Sequence, residues 1–208
     1  MSSRRVRQHV NPLRSSLLSI DLPPLQFPAG IPLEVELGSA EAHFLMDRAV
    51  ESPVGYYVGL EIRQEVIRKA NNEAAARGVG DRVCSVFANI SVDLPRLFPA
   101  AGVSRFFVNF PDPWFKRWQQ KRRVIEPSLV DHMLGALAPA GEIYVNTDIF
   151  DLALDAMQAM EMNPQLANMI SPWTFMKQSC FVARSRRERQ CERENTRIWR
   201  LGYRRVSE

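Results

Sequence analysis

Residues 56–77 read Tyr56-Tyr57-Val58-Gly59-Leu60-Glu61-Ile62-Arg63-Gln64-Glu65-Val66-Ile67-Arg68-Lys69-Ala70-Asn71-Asn72-Glu73-Ala74-Ala75-Ala76-Arg77. The first seven form a short apolar run. The remainder is helix-like and stops near Gly78 and Gly80, the punctuation that ends helices. The same strand-then-helix unit recurs on both sides. Upstream, residues 33–38 read as a strand ending at Gly38 and residues 41–50 as a short helix. Downstream, residues 82–87 and 105–110 read as strands, the second closed by Pro111. Residues 128–137 then read as a helix ending before Pro139 and Gly141, residues 142–147 as a strand and residues 150–160 as a helix. Beyond Asn163 the pattern degrades, leaving residues 175–183 and 198–206 as antiparallel additions at a sheet edge. Short apolar strands alternating with helices imply an α/β fold, a Rossmann-like, mostly parallel sheet covered on both faces.

Composition sets the bounds. The chain has 208 residues, of which 46% are hydrophobic, enough to bury a full core. Residues 1–30 are rich in Arg, Ser and Pro without a sustained period and read as an arm, flexible or draped over the body; residues 31–208 read as a single domain. The net charge of +4 leaves room for an anionic partner. Nine arginines fall between Arg184 and Arg205, and five Lys or Arg between Trp114 and Arg123; both clusters are candidate phosphate contacts. Cys84, Cys180 and Cys191 lack metal-ligand or disulfide spacing, and His9, His43 and His132 are scattered, so no metal site is expected. With no apolar run near 20 residues and no signal-peptide pattern, a soluble cytoplasmic protein without a membrane partner is expected. Monomer and homodimer are equally open.

In open α/β sheets ligands bind outside the carboxyl ends of the strands. Those positions here are Gly38-Ser39-Ala40, Glu61, Ala88-Asn89, Pro111-Asp112 and Thr147-Asp148. Gly38 allows a tight first turn. The further glycines that seat a pyrophosphate on a helix N-terminus are replaced by Ala40 and Ala42, and Glu41 would repel a phosphate. A cofactor with no phosphate and a positive sulfonium is compatible with these surroundings. Glu61 is placed to accept from the hydroxyls of a ribose, or alternatively to pair with Arg63 or Lys69. Asn89 could address an adenine edge or cap a helix, and Asp148 is open to the same choice between ligand and cap.

The most specific stretch is Phe110-Pro111-Asp112-Pro113-Trp114-Phe115-Lys116-Arg117-Trp118-Gln119-Gln120-Lys121-Arg122-Arg123. Two prolines restrict the backbone around Asp112 and hold its carboxylate at a strand end. Aromatics alternating with cations follow, the side chains that stack on bases and hold phosphates.

These residues carry a resemblance. Residues 110–123 are similar to the Phe-Pro-Asp-Pro-Trp/His…Lys…Lys-Arg-Arg signature of the tRNA (guanine-N7-)-methyltransferase family, and the likeness extends over residues 32–203. Gly59-Leu60-Glu61-Ile62-Arg63 resembles the family's second-strand motif, and Asn146-Thr147-Asp148 its Thr-Asp motif. The resemblance implies a class I methyltransferase fold, S-adenosyl-L-methionine as cofactor and tRNA as partner. It implies that Glu36, Gly38, Glu61, Ile62, Asn89 and Asp112 face the cofactor, with Asp112 also catalytic. Lys116 and Asp148 would contact the substrate, as would Ser185 and Glu188 in Ser185-Arg186-Arg187-Glu188, which matches a family Thr-x-x-Glu element. Trp118, Lys121, Arg122 and Arg123 would lie along the RNA.

The family's glycine turn has three glycines, and this chain keeps only Gly38. If Ala40 or Ala42 sits at positive φ, strain of ~1 kcal/mol or more is expected there. That departure leaves open an RNA-binding relative that keeps the fold and has lost the cofactor. A methyltransferase for another RNA or for a protein is a further alternative.

Overall fold

The computed structural model describes residues 24–28, 30–112 and 125–206. Seven strands form one sheet in the order β3-β2-β1-β4-β5-β7-β6. They are β1 (Leu33–Leu37), β2 (Tyr56–Glu61), β3 (Val83–Phe87), β4 (Val103–Asn109), β5 (Leu137–Thr147), β6 (Leu166–Asn168) and β7 (Trp199–Arg205). The first five run parallel, whereas β7 lies antiparallel between β5 and β6. The chain moves outward from β1 to β3, then returns to place β4 on the other side of β1. Ligand crevices form at that reversal, beyond the ends of β1 and β4.

The strand residues alternate between two cores. Leu33, Val35 and Leu37 of β1 pack in the larger one with Leu94, Leu97, Val130, Met133 and Met157, which belong to α3 (Ile90–Leu97), α4 (Pro127–Ala136) and α5 (Phe150–Glu161). On the opposite face, Phe44, Leu45 and Met46 of α1 (His43–Glu51) and Ala70 and Ala74 of α2 (Gln64–Ala76) pack with Phe107, Tyr144 and Met176. Two carboxylates of β1, Glu34 and Glu36, are buried on that second face. Glu34 is fully engaged: Arg48 donates two bonds to it, at 2.9 and 2.8 Å, and Arg105 a third at 2.7 Å. Glu36 is not, and it belongs to the site described below.

Residues 24–28, from the end of the arm, are draped over the body. The Leu25 amide donates to the carbonyl of Leu97 at 2.8 Å, and Phe27 stacks near Phe98 with ring centroids 6.3 Å apart.

The structure adds elements that the sequence pattern does not reveal. Helix α3 forms despite Pro95 inside it, held at its start by the Asn89 cap. Helix α6 (Arg186–Arg193) is almost wholly polar, so it has no apolar stripe to detect. Residues 198–206 do supply an antiparallel strand, β7, but residues 175–183 do not form a strand. They contribute one isolated bridge, Met176 to Arg200, and send Phe181 into the second core, edge-on to Tyr144 at 4.8 Å.

Candidate active site

The turn that leaves β1 is set against β2. The amides of Gly38 and Ser39 both donate to the Leu60 carbonyl, at 2.8 and 3.1 Å. This close approach explains Gly59, since a Cβ there would lie 2.2 Å from Ser39 Oγ. Gly38, Ala40 and Ala42 have φ of 77°, 48° and 55°. The two alanines therefore hold the left-handed conformation suited to glycine, at a cost of roughly 1 kcal/mol or more each. The two alanines hold the conformation that glycine adopts freely, and do so under strain. Replacing both alanines with glycine relieves that strain and returns part of the gain as unfolded-state entropy. We expect Ala40→Gly with Ala42→Gly to stabilise the fold by about 1–2 kcal/mol. A denaturation midpoint at or below that of the parent chain would show that the turn is not strained.

Beyond the ends of β1 and β4 lies a cleft of about 320 Å3, in the size range of small-molecule sites. Glu36 and the 38–41 turn form one side, and Asn109, Phe110 and Asp112 the other. Glu36 is 3% exposed and its Oε2 has no hydrogen-bond partner among the described residues. Its Oε1 accepts from Asn109 Nδ2 at 2.8 Å, and Asn109 Oδ1 in turn accepts from Asn146 Nδ2 at 2.8 Å. Burial raises the Glu36 carboxyl to about 8, the Asn109 bond opposes that rise, and the nearby Glu61 charge adds to it. A cationic group entering the cleft would offset that burial and favour the ionised carboxylate, whose charge and open oxygen then face it. The residues present therefore fit a cofactor bearing an ammonium or sulfonium better than one bearing a phosphate.

Glu61 ends β2, buried, with both oxygens occupied. Backbone amides of Ile62 and Arg63 donate to Oε1 and that of Ala40 to Oε2, at 2.8, 3.0 and 3.0 Å. The Arg63 guanidinium adds bonds of 2.9 and 2.7 Å, so the pairing with Arg63 is formed. Two ribose hydroxyls could replace the two guanidinium donors while the backbone bonds stay. The Glu61 bond and charge raise the pKa of Arg63, with smaller contributions from the charges of Asp112 and Glu41. Ile62 takes part through its amide. Asn89 serves as the cap of α3: its Oδ1 accepts from the Ser91 amide at 3.3 Å, and its own amide donates to Asp93 at 2.7 Å.

Asp112 reaches the cleft through an unusual turn. Phe110 has φ of 51°, although it is bulky and precedes a proline, both of which disfavour that conformation. Its amide is pinned to the Asn146 carbonyl at 2.7 Å. Such outliers cost about 1–3 kcal/mol and cluster at functional sites. Lys116, Trp118, Lys121, Arg122 and Arg123 lie outside the described residues.

The far wall comes from α6. Ser185 caps it, accepting from the Glu188 amide at 3.1 Å, and Ser185, Arg186 and Arg187 line the cleft. Arg186 pairs with Glu41 at 3.0 Å and Arg187 with Asp148 at 2.5 Å, tying the helix to both rims. Glu188, expected at the substrate, is not among the residues lining the cleft: it is 1% exposed, 2.9 Å from Arg200 and 3.5 Å from Arg184. These pairs join α6 to β7 and to the residue before its cap. The arginine cluster is likewise largely absorbed. Arg184, Arg189 and Arg204 pair with Glu192, Asp47 and Glu142, and Arg205 donates to the carbonyls of Leu134 and Leu137.

The sequence reading singled out neither Asn109 nor Arg187, and it named Arg63 only as a partner for Glu61 and Asn146 only within a motif. A signal existed for the asparagines, as each breaks an apolar strand near its carboxyl end, and the two are register partners.

The family model described as a putative methyltransferase matches residues 31–201. A tRNA (guanine-N(7)-)-methyltransferase of Synechococcus sp. (strain JA-3-3Ab) is 36% identical over 169 residues, covering 79% of this chain and 71% of the relative. The chain belongs to the tRNA (guanine-N7-)-methyltransferase family. The corresponding protein of Synechococcus elongatus is 32% identical over 180 residues, 83% of this chain and 84% of that one. The fold is also that of class I methyltransferases. Geranyl diphosphate C-methyltransferase of Streptomyces coelicolor A3(2), solved with S-adenosyl-L-homocysteine, superposes with a TM-score of 0.56 at 12% identity, covering 84% of this chain and 74% of its own. Among the described residues no helix is long and apolar enough to cross a membrane.

Proposed function

We propose that this protein transfers a methyl group from S-adenosylmethionine to N7 of a guanosine in tRNA, in the cytoplasm, with residues 31–208 as the methyltransferase domain and residues 1–30 as an arm. The variable-loop guanosine is the target that the family resemblance implies. The observation that carries the reading is Glu36: a buried carboxyl oxygen without a partner among the described residues, beside a cleft at the switch point of the sheet. It suits a cation and disfavours the phosphates of a dinucleotide. The substrate half rests on relatives named for guanine-N7 methylation of tRNA. A relative that binds RNA without a cofactor is not favoured, because the turn keeps its left-handed path and the cleft stays open.

Bound S-adenosylmethionine would supply a methyl carbon on positively charged sulfur. Guanine N7 has an in-plane lone pair and no proton, so no general base is required. The protein's work is alignment and electrostatics. Glu36, Gly38, Glu61 and Ile62 would hold the cofactor's polar groups, with Asn89 shaping the adenine end through the α3 cap. Asp112 would stabilise the cationic ring as it forms and accept from guanine N1–H and N2–H. Asp148, with Lys116 and Ser185, would position the nucleotide, and Trp118, Lys121, Arg122 and Arg123 would hold the RNA backbone.

Mass analysis of nucleosides from tRNA incubated with protein and cofactor tests this reading. We expect N7-methylguanosine to appear only when both are present. Methylation of another nucleoside, or none, would overturn it.

A further inference from the structure

One cluster of side chains has no part in the cleft. Trp199, the first residue of β7, is the register partner of Thr147. Its ring lies 4.5 Å from that of Phe150 and 4.9 Å from that of Phe175, centroid to centroid. Phe150 opens α5 two residues after Asp148 and is 45% exposed, unusual for a large aromatic packed against two others. The Arg197 guanidinium sits 3.9 Å from the Trp199 ring centroid. Unlike most arginines of residues 184–205, Arg197 has no carboxylate within ion-pair distance among the described residues, and it is exposed. A partly exposed aromatic cluster, its rings tilted by 42–53° to one another, and a cation without an ion pair among the described residues therefore stand together where the chain passes Asp148.

We propose that Phe150, Phe175, Trp199 and Arg197 form a subsite for an unpaired nucleotide of the RNA substrate, adjacent to the reacting guanosine. The chemistry of the pair selects this occupant. A base stacks on an aromatic ring or on the outer face of a guanidinium, and the cation answers the phosphate. Stacking tolerates any base, so the subsite serves to hold the strand splayed near Asp148 without reading its sequence. The inference rests on the tRNA methyltransferase reading. It adds a contact surface independent of residues 110–123, reached through Asp148 and Arg187.

Titration of fluorescently labelled tRNA against the full chain at several salt concentrations tests it. Arg197→Ala should weaken binding several-fold and lower the log–log salt slope by about 1. Trp199→Leu should weaken binding about 10-fold with little change of slope, and Trp199→Phe should recover most of that loss. Melting temperatures serve to exclude misfolded variants, and Arg197→Ala, a surface change, stays informative if Trp199→Leu unfolds. Affinities within about two-fold of the parent in the folded variants, or no recovery by phenylalanine, would overturn the subsite. Methyl transfer is read separately: tRNA bound through this surface but never methylated would refute the enzymatic reading alone.

Discussion

Asp112→Asn is expected to lower turnover roughly 100- to 1,000-fold, the range for removing a group aimed at charge that develops in the transition state. The tRNA dissociation constant should move by less than about two-fold, since the phosphate contacts that dominate affinity are untouched. The argument begins with the backbone. Phe110 is held in the left-handed region ahead of Pro111, and its amide is fixed to the Asn146 carbonyl. That turn carries Asp112 from the end of β4 to the cleft that Glu36 also lines. Strain stored there fits a carboxylate that is set in place before the substrate arrives. Guanine is neutral before transfer and cationic after it, so a fixed negative charge favours the later state. Asparagine keeps the shape and one acceptor oxygen but not the charge. Loss of turnover with unchanged KM supports the electrostatic role. A raised KM with unchanged kcat would instead make Asp112 a group that only binds the guanine edge, and near-normal kcat and KM would remove it from the mechanism.

Much of this arrangement was legible in the sequence, for identifiable reasons. The parallel strands are apolar runs buried on both faces, and helices with glycine or proline beyond their ends mark themselves. The edge was harder. Helix α6 stands on the Ser185 cap and on ion pairs to Glu41, Asp47 and Asp148. Those carboxylates are more than 35 residues away, and no local pattern records them. For the same reason the arginine cluster looked like a phosphate site, although most of its charges are answered within the fold. Glu61 and Asn89 were correctly placed at strand ends. What the sequence left open was the choice between ligand and partner: Arg63 and the start of α3 are the alternatives that form. The two alanines in the turn show the limit most clearly. Residue identity gave the conditional cost, and only the φ angles decided that it applies.

Glu36→Gln is expected to act with opposite signs on stability and on cofactor binding. The folded Glu36 carboxyl has a pKa raised to about 8 from 4.5, chiefly by burial. Between those values the folded chain keeps a proton that the unfolded chain has lost. Stability therefore falls as pH rises through this window, by up to about 1.4 kcal/mol per pH unit, and the penalty is fully present above the folded pKa. Glutamine accepts the Asn109 bond as well and does not titrate. The variant should thus match the parent near pH 4.5 and exceed it by a few kcal/mol at pH 9, read as denaturation midpoints at each pH. Cofactor affinity should fall roughly 10- to 100-fold, the worth of one hydrogen bond to a charged group. Asn109, itself held by Asn146, engages only Oε1, which leaves Oε2 without a partner among the described residues; a carboxyl kept for stability alone would have no reason to be held this way. A stability difference that does not grow with pH would show that Glu36 is not held protonated in the folded chain. Unchanged cofactor affinity would show that its bare oxygen does not meet the ligand.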